Sequence, residues 1–169
     1  LDKPVVYGNI ETGAISLMGS DIDSLRAVAD WRRDRQEVDL KMDILCNDTY
    51  HTLVQGIYVP KHDSIDINVR ANHLDMYFLN SVIPKNTINE IRTALSANLR
   101  IYGNLKRLDF LGNAFIEDTY VDVAPNDVAY YVPEAVMVLS PGLFSFRDMD
   151  TYDMYGNYGI VDLNIRHTH

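Results

Sequence analysis

Apolar and polar residues alternate along most of this chain. In VDLKMDILC, residues 38 to 46, apolar side chains fall at Val38, Leu40, Met42, Ile44 and Cys46, with Asp39, Lys41 and Asp43 between them. A period of two puts every second side chain on one face of a sheet, so the stretch predicts a half-buried strand. Leu25, Ala27, Ala29 and Trp31 repeat the pattern, as do Ile65, Ile67, Val69 and Ala71. So do Leu99 and Ile101, Val121 and Val123, Val136 and Val138, and finally Val161, Leu163 and Ile165. Turn-forming clusters separate these runs: Glu11-Thr12-Gly13, Arg33-Asp34-Arg35, Cys46-Asn47-Asp48, Pro60 to Asp63, Ala124 to Asp127, Ser140-Pro141-Gly142 and Tyr155-Gly156-Asn157. About a dozen strands at roughly 8–12-residue spacing predict an all-β antiparallel meander, arranged as a sandwich, a barrel or an open curved sheet. A parallel sheet is not expected, because crossover helices are missing. One stretch departs from the pattern. Leu74, Tyr77 and Phe78 share helical spacing, Asn72 offers a cap and Pro84 a stop, which predicts a short helix over residues 73 to 82 that plugs one end or face of the sheet. Leu45 breaks the polar alternation and marks a place where the second face of its strand is covered.

Length and composition fit a single β-rich unit. The 169 residues are 47% hydrophobic, enough for a real core, and no linker or low-complexity stretch divides them. A net charge of -9 excludes the phosphate backbone of nucleic acids as a partner, since binding there needs a positive surface. The single cysteine, Cys46, forms no internal disulfide and reads as a buried thiol. No apolar run reaches membrane-spanning length, and the first residues lack the plan of a signal peptide. The abrupt start and the strand-like end in NIRHTH predict a segment, residues 1 to 169, excised from a larger protein.

Candidate chemistry is sparse. The five histidines are scattered: His51 and His62 flank one predicted hairpin, His73 starts the predicted helix, and His167 and His169 are the one pair with chelating spacing, without a third ligand near in sequence. Asp148, Asp150, Asp153 and Asn157 suggest a calcium loop but lack its alternating ligands, its sixth-position glycine and its terminal glutamate. No nucleophile elbow, zinc-protease, dinucleotide or P-loop motif occurs, so no enzyme activity, catalytic residue, metal site or cofactor is expected. Eleven tyrosines and five phenylalanines remain. Rows of aromatics on strands are either cross-strand core pairs or carbohydrate platforms, and Tyr130, Tyr131, Tyr152, Tyr155 and Tyr158 are the candidates for an extracellular or periplasmic carbohydrate-binding sandwich.

Residues 101 to 169 are more specific than "β-rich". They resemble the C-terminal region of TamB-like proteins, part of the wider AsmA-like group, in their Bacteroidetes forms. Three stretches carry the resemblance: GNLKRLDFLGNAFI, with Gly103, Leu105, Lys106 and Gly112; YYVPEAVMVLSPGLFSFRDM, with Phe144 and Phe146 before an aspartate; and DMYGNYGIVDLNIRH, with Asp153, Gly156, Asn157, Gly159 and His167. The upstream third matches in texture only. The resemblance implies a large periplasmic protein anchored in the inner membrane by a segment outside this chain, whose sheet folds into an open, taco-like trough with an apolar interior. It implies phospholipid movement between the membranes and, with an Omp85-type outer-membrane partner, assembly of outer-membrane and autotransported proteins. The physics of one-sided strands agrees: an apolar face has to be buried, closed into a core, or offered to something greasy. The residues expected to point inward, against acyl chains, are Val38, Leu40, Met42, Ile44, Ile65, Ile67, Val69, Leu99, Ile101, Val136, Val138, Val161, Leu163 and Ile165. A trough cut at both ends exposes edge strands, so edge-to-edge self-association is expected as well.

Overall fold

The computed structural model describes residues 7–17, 20–47, 49–81 and 83–166. Its strands are β1 (Tyr7–Thr12), β2 (Ile15–Leu17), β3 (Ser20–Ile22), β4 (Ser24–Arg32), β5 (Glu37–Cys46), β6 (Tyr50–Val59), β7 (Ser64–Asp75), β8 (Ile88–Asn104), β9 (Arg107–Val123), β10 (Val128–Ser140), β11 (Leu143–Asp153) and β12 (Tyr158–Arg166). Ten of them form one antiparallel sheet in the order β1-β4-β5-β6-β7-β8-β9-β10-β11-β12, and β2 and β3 make a separate small hairpin. Beyond that hairpin each strand pairs with the next in sequence, so the sheet is an open meander that does not close into a barrel. The predicted turns fall between strands. Gln36, Asn47, Asp63 and Asp127 adopt the left-handed conformation there, at φ of 49° to 56°, which short polar side chains tolerate better than branched ones.

Register assigns the faces, because residues directly opposite in an antiparallel pair share a side. One row runs Thr12, Leu25, Ile44, Thr52, Ala71, Ala97, Ala114, Met137, Phe146, Leu163 across all ten strands. Its neighbour runs Ile10, Ala27, Met42, Val54, Val69, Leu99, Gly112, Leu139, Phe144, Ile165. The opposite face carries Glu11, Arg26, Asp43, Leu53, Arg70, Asn98, Asn113, Val138, Ser145 and Asn164 in one such row. The sheet therefore has one apolar face and one largely polar face.

Among the described residues the ten-stranded sheet is a single layer with only the short β2–β3 hairpin beside β5, yet Ala114 and Leu139 are only 2% and 5% exposed on the apolar face, whereas Val136 and Val138 on the other side of the same sheet are 53% and 48% exposed. Curvature toward the apolar face accounts for the difference, because it crowds side chains on the inside and spreads them on the outside. The resulting core is Ala71, Ala97, Ala114 and Leu139, packed against Leu74, Leu95, Leu99, Phe110, Met137 and Phe144. Phe110 and Phe144 meet edge to face with centroids 5.3 Å apart, a favoured aromatic geometry.

Glycines and bulges set the bend. A Cβ on Gly56 would overlap the Asp66 carbonyl, and one on Gly112, which holds φ +142°, would overlap the Asn98 carbonyl and lie 2.8 Å from the Leu99 Cα. Strand-interior glycines thus mark where backbones approach most closely. The register shifts at four bulges: Asn72 and His73 face Ser96, Asp118 and Thr119 face Thr93, Arg147 and Asp148 face Asp162, and Asn89 is an extra residue of β8 between the pairs Ile88–Val123 and Glu90–Asp122. His73, Asp118 and Asp148 take the positive φ, at 49°, 48° and 50°. The opposing side chains take up polar groups that the ladder leaves over: the His73 N–H donates to Ser96 Oγ at 3.0 Å, and the Asp148 N–H to Asp162 Oδ1 at 2.9 Å. Thr93 and Thr119 pair through their hydroxyls at 2.7 Å.

The short helix expected near residues 73 to 82 is present as a 3-10 segment at Tyr77–Ser81, shorter than its sequence spacing suggests. His73 to Asp75 belong to β7, with Leu74 opposite Leu95. Asp75 Oδ1 accepts the Tyr77 N–H at 2.9 Å, while the Asn80 amide donates to the Ile91 carbonyl at 2.7 Å and accepts its N–H at 2.8 Å. A segment this short gains little from helix propensity, and pairing with β8 outweighs it.

Replacing Gly112 by alanine is expected to lower stability by at least about 2 kcal/mol, from backbone overlap plus a φ that L-residues avoid. Urea denaturation followed by circular dichroism reads this directly, and an unchanged midpoint would count against the close strand approach.

Candidate functional site

The apolar face is the most extended chemical feature of the molecule. β5 contributes Val38, Leu40, Met42 and Ile44, β7 contributes Ile65, Ile67 and Val69, and β8 contributes Leu99 and Ile101, which share this face by register. Leu163 and Ile165 of the edge strand β12 continue the same rows opposite Phe146 and Phe144, and Val161 alternates in phase with them. Towards β1 the face thins to Gly8, Ala27 and Ala29, and these small residues leave an apolar furrow of about 230 Å³ walled by Ile10, Leu40, Met42, Val54 and Ile67.

Val136 and Val138 do not point inward. Their partners are Phe115 and Asn113, and the inward set on β10 is Ala135, Met137 and Leu139, opposite Ile116, Ala114 and Gly112. The run Ala135 to Leu139 is apolar at every position, so alternation is equally good in either phase. The tight Ser140 to Leu143 turn, which sets Leu139 against Phe144, decides it. On the outer face, Val136 and Val138 line a separate groove of about 470 Å³ with Ser140, Leu143, Ser145 and Arg147.

The polar face is held by cross-strand ion pairs. Arg100 binds Asp66 bidentately, Nε to Oδ1 at 2.7 Å and Nη2 to Oδ2 at 2.6 Å, and its guanidinium also lies 5.0 Å from the Tyr102 ring centroid. The hydrogen bond and charge of Arg100 hold the Asp66 carboxyl below its ordinary range and raise the arginine in turn. Arg32 pairs with Asp39 at 2.7 Å.

Near one end of the sheet, beyond the bulges, register aligns Arg92, Tyr120, Tyr131, Tyr152 and Tyr158 on the polar face. The Arg92 guanidinium stacks 5.4 Å from the Tyr120 centroid, and the rings of Tyr152 and Tyr158 lie 5.4 Å apart. Tyr131 donates to Asp118 at 3.0 Å and Tyr158 to Asp150 at 2.7 Å, contacts that push both phenols up. Of the expected aromatic candidates, Tyr131, Tyr152 and Tyr158 are brought together here. Tyr130 faces the opposite side, and Tyr155 is exposed in the β11–β12 turn. Tyr120 was missed in the sequence, because only register shows that residues 120, 131, 152 and 158 are neighbours.

The titratable candidates are engaged structurally. His51 Nδ1 is 3.1 Å from Asp43, and the His73 ring lies against Tyr50 at 4.6 Å with Nδ1 3.4 Å from Glu117. His62 belongs to the β6–β7 turn, while His167 and His169 lie outside the described residues. Asp153, suggestive of a calcium loop, instead organises its turn: its carboxylate accepts from the N–H of Tyr155 at 2.9 Å, the N–H of Asn157 at 2.8 Å and the Asn157 amide at 2.7 Å. The Asn157 side-chain hydrogen bond is the main cause that lowers its pKa. With Gly156 at φ +82°, these bonds give a physical reason for the spacing Asp-x-x-Gly-Asn. Cys46 is buried, which pushes its thiol up, away from the thiolate that reactivity needs. Among the described residues no group of three or more His, Cys, Asp or Glu is placed to hold a metal ion, and no helix is long and apolar enough to cross a membrane.

Fold and site together define an open, single-layer antiparallel meander with one continuous apolar face. In comparisons with known proteins the chain matches no family model, no curated protein and no solved structure.

Because Asp66 has a lowered folded pKa, its pair with Arg100 stabilises the sheet above the unfolded aspartate value of about 3.9 and is lost as pH falls through the lower folded value. Both side chains are more than a third exposed, so the effect is expected to stay under about 1 kcal/mol. Urea midpoints of the wild type and Arg100→Ala should differ more at neutral pH than at strongly acidic pH. A pH-independent difference would assign the effect to Tyr102 stacking.

Proposed function

We propose that this protein is a non-enzymatic segment of a TamB-like envelope protein and that its apolar sheet face holds phospholipid acyl chains. In that setting the face supports lipid transfer between inner and outer membranes in the periplasm, or assembly of outer-membrane proteins with an Omp85-type partner. The observation that carries the reading is the apolar face itself, which runs from Ile10 to Ile165 across ten strands, with no second sheet over it among the described residues. At about 4.8 Å per strand it is roughly 40 Å across, longer than one bilayer leaflet is thick. Each methylene laid against it contributes about 0.8 kcal/mol, while a phosphate head stays in water beyond the rim. Lipid extracted from the purified protein is expected to be phospholipid, and Met42→Asp on the apolar face should reduce it several-fold, with Val138→Asp on the outer face serving as control. Equal retention by both variants would refute the apolar face as the lipid site.

A second reading concerns the tyrosine row. Arg92, Tyr120, Tyr131, Tyr152 and Tyr158 form an aromatic strip with Asp118 and Asp150 at its phenolic ends, which has the chemistry of a carbohydrate platform on a single sheet. Glycan-array binding lost in Tyr131→Ala but kept in Met42→Asp would establish this reading, and an array without binders would dismiss it.

A further inference from the structure

We propose that β12 is a self-complementary edge, at which a second copy of this chain pairs antiparallel with its two-fold axis at Asn164. This goes beyond the lipid reading and does not depend on it. The strand spans nine residues, Tyr158–Arg166, and is exposed along its length, with Val161 37%, Leu163 40% and Ile165 45% accessible. Edges that stay solvated are blunted by lysine, proline, a bulge of their own or great shortness. β12 has no lysine, no proline and no bulge of its own, the adjacent bulge lying on β11 at Arg147 and Asp148, and its two charges, Asp162 and Arg166, are of opposite sign. The other edge, β1, has six residues and ends in Thr12.

The charges on β12 choose the partner. On the polar side the strand reads Asp162, Asn164, Arg166, opposite signs placed symmetrically about Asn164. In an antiparallel pair centred on Asn164, Asp162 faces Arg166 of the second copy and Arg166 faces its Asp162, while Asn164 faces Asn164. On the apolar side Leu163 then faces Ile165 of the second copy, and the reverse. Both faces match in this one register, and a shift by two residues sets Asn164 against Asp162 or Arg166 and breaks the charge pairing. Asp162 Oδ1 already accepts the Asp148 N–H at 2.9 Å, but a carboxylate has acceptor capacity for both bonds. A two-fold axis normal to the sheet keeps like faces on one side, so the two apolar faces join into one.

The test uses the 169-residue chain in sedimentation across the micromolar range, with two charge reversals and their combination. Asp162→Arg or Arg166→Asp alone places like charges opposite each other twice, and is expected to weaken the dimer about tenfold or more. The charge swap Asp162→Arg with Arg166→Asp should restore it. Asn164→Cys should form an intermolecular disulfide under mild oxidation, since residues directly opposite have Cα atoms about 4.5–5.5 Å apart. Ile160→Cys, offset from its own copy by roughly 27 Å, should not. The disulfide test leaves Asp162 and Arg166 intact, so it stands even where a charge variant fails to fold. A monomer at all concentrations, a dimer indifferent to the charge reversals, or a dimer without the Asn164→Cys bond would overturn the proposal. A monomer that still carries phospholipid would overturn the edge alone, and a dimer without lipid would leave the edge intact and remove the lipid reading.

Discussion

The structure depends on an apolar sheet face that no second sheet covers among the described residues. A sandwich buries that face against another sheet, and a barrel buries it in a closed interior. Here ten strands form one open layer, so the apolar rows are shielded chiefly by one another. This arrangement rewards small residues where the bend is tightest. Ala71, Ala97 and Ala114 lie in one row, Gly112 in the next, and larger side chains such as Phe110, Phe144 and Met137 pack around them. An apolar face only partly satisfied by its own curvature remains available to another apolar surface.

Curvature is encoded by backbone exceptions more than by the alternation itself. The positive-φ bulges at His73, Asp118 and Asp148 lie on β7, β9 and β11, and insert one residue against β8, β8 and β12 respectively, while β9 and β10 stay in register past Asp118. An inserted residue increases local twist and reverses which alternate side chains point inward. This is why Thr119 and Thr151 are buried at 4% and 9% past the bulges, whereas apolar residues hold the inward positions before them. The same change of phase puts Tyr120 and Tyr152 on the outer face, beside Tyr131 and Tyr158 of the neighbouring strands. One set of backbone insertions thus determines both the inner wall and the outer aromatic row.

Polar chemistry in this protein mainly serves architecture. Asp153 ties a turn, Asp162 and Ser96 satisfy the N–H groups of bulged residues, Asn80 stands in for a strand by bonding both polar groups of Ile91, and Arg100 clamps Asp66 across the β7–β8 pair. Each group has its partners supplied from a neighbouring segment.

The sequence by itself determined the all-β class, the antiparallel order, most turns and the inward set on β5, β7, β8 and β12. A period of two combined with Gly, Pro, Asn and Asp punctuation is local information, and it survives folding wherever one phase alone is apolar. Tertiary structure decided the rest. Val136 and Val138 lie outside because the run Ala135 to Leu139 is apolar in both phases, and pairing with Ala114 and Phe144 chose between them. Residues 73 to 75 became strand because Leu74 found Leu95, a partner 21 positions away in the chain. The open single layer, the bend at Gly112 and the tyrosine row likewise come from contacts between strands far apart in sequence, where the register of the whole sheet outweighs the preference of any one segment.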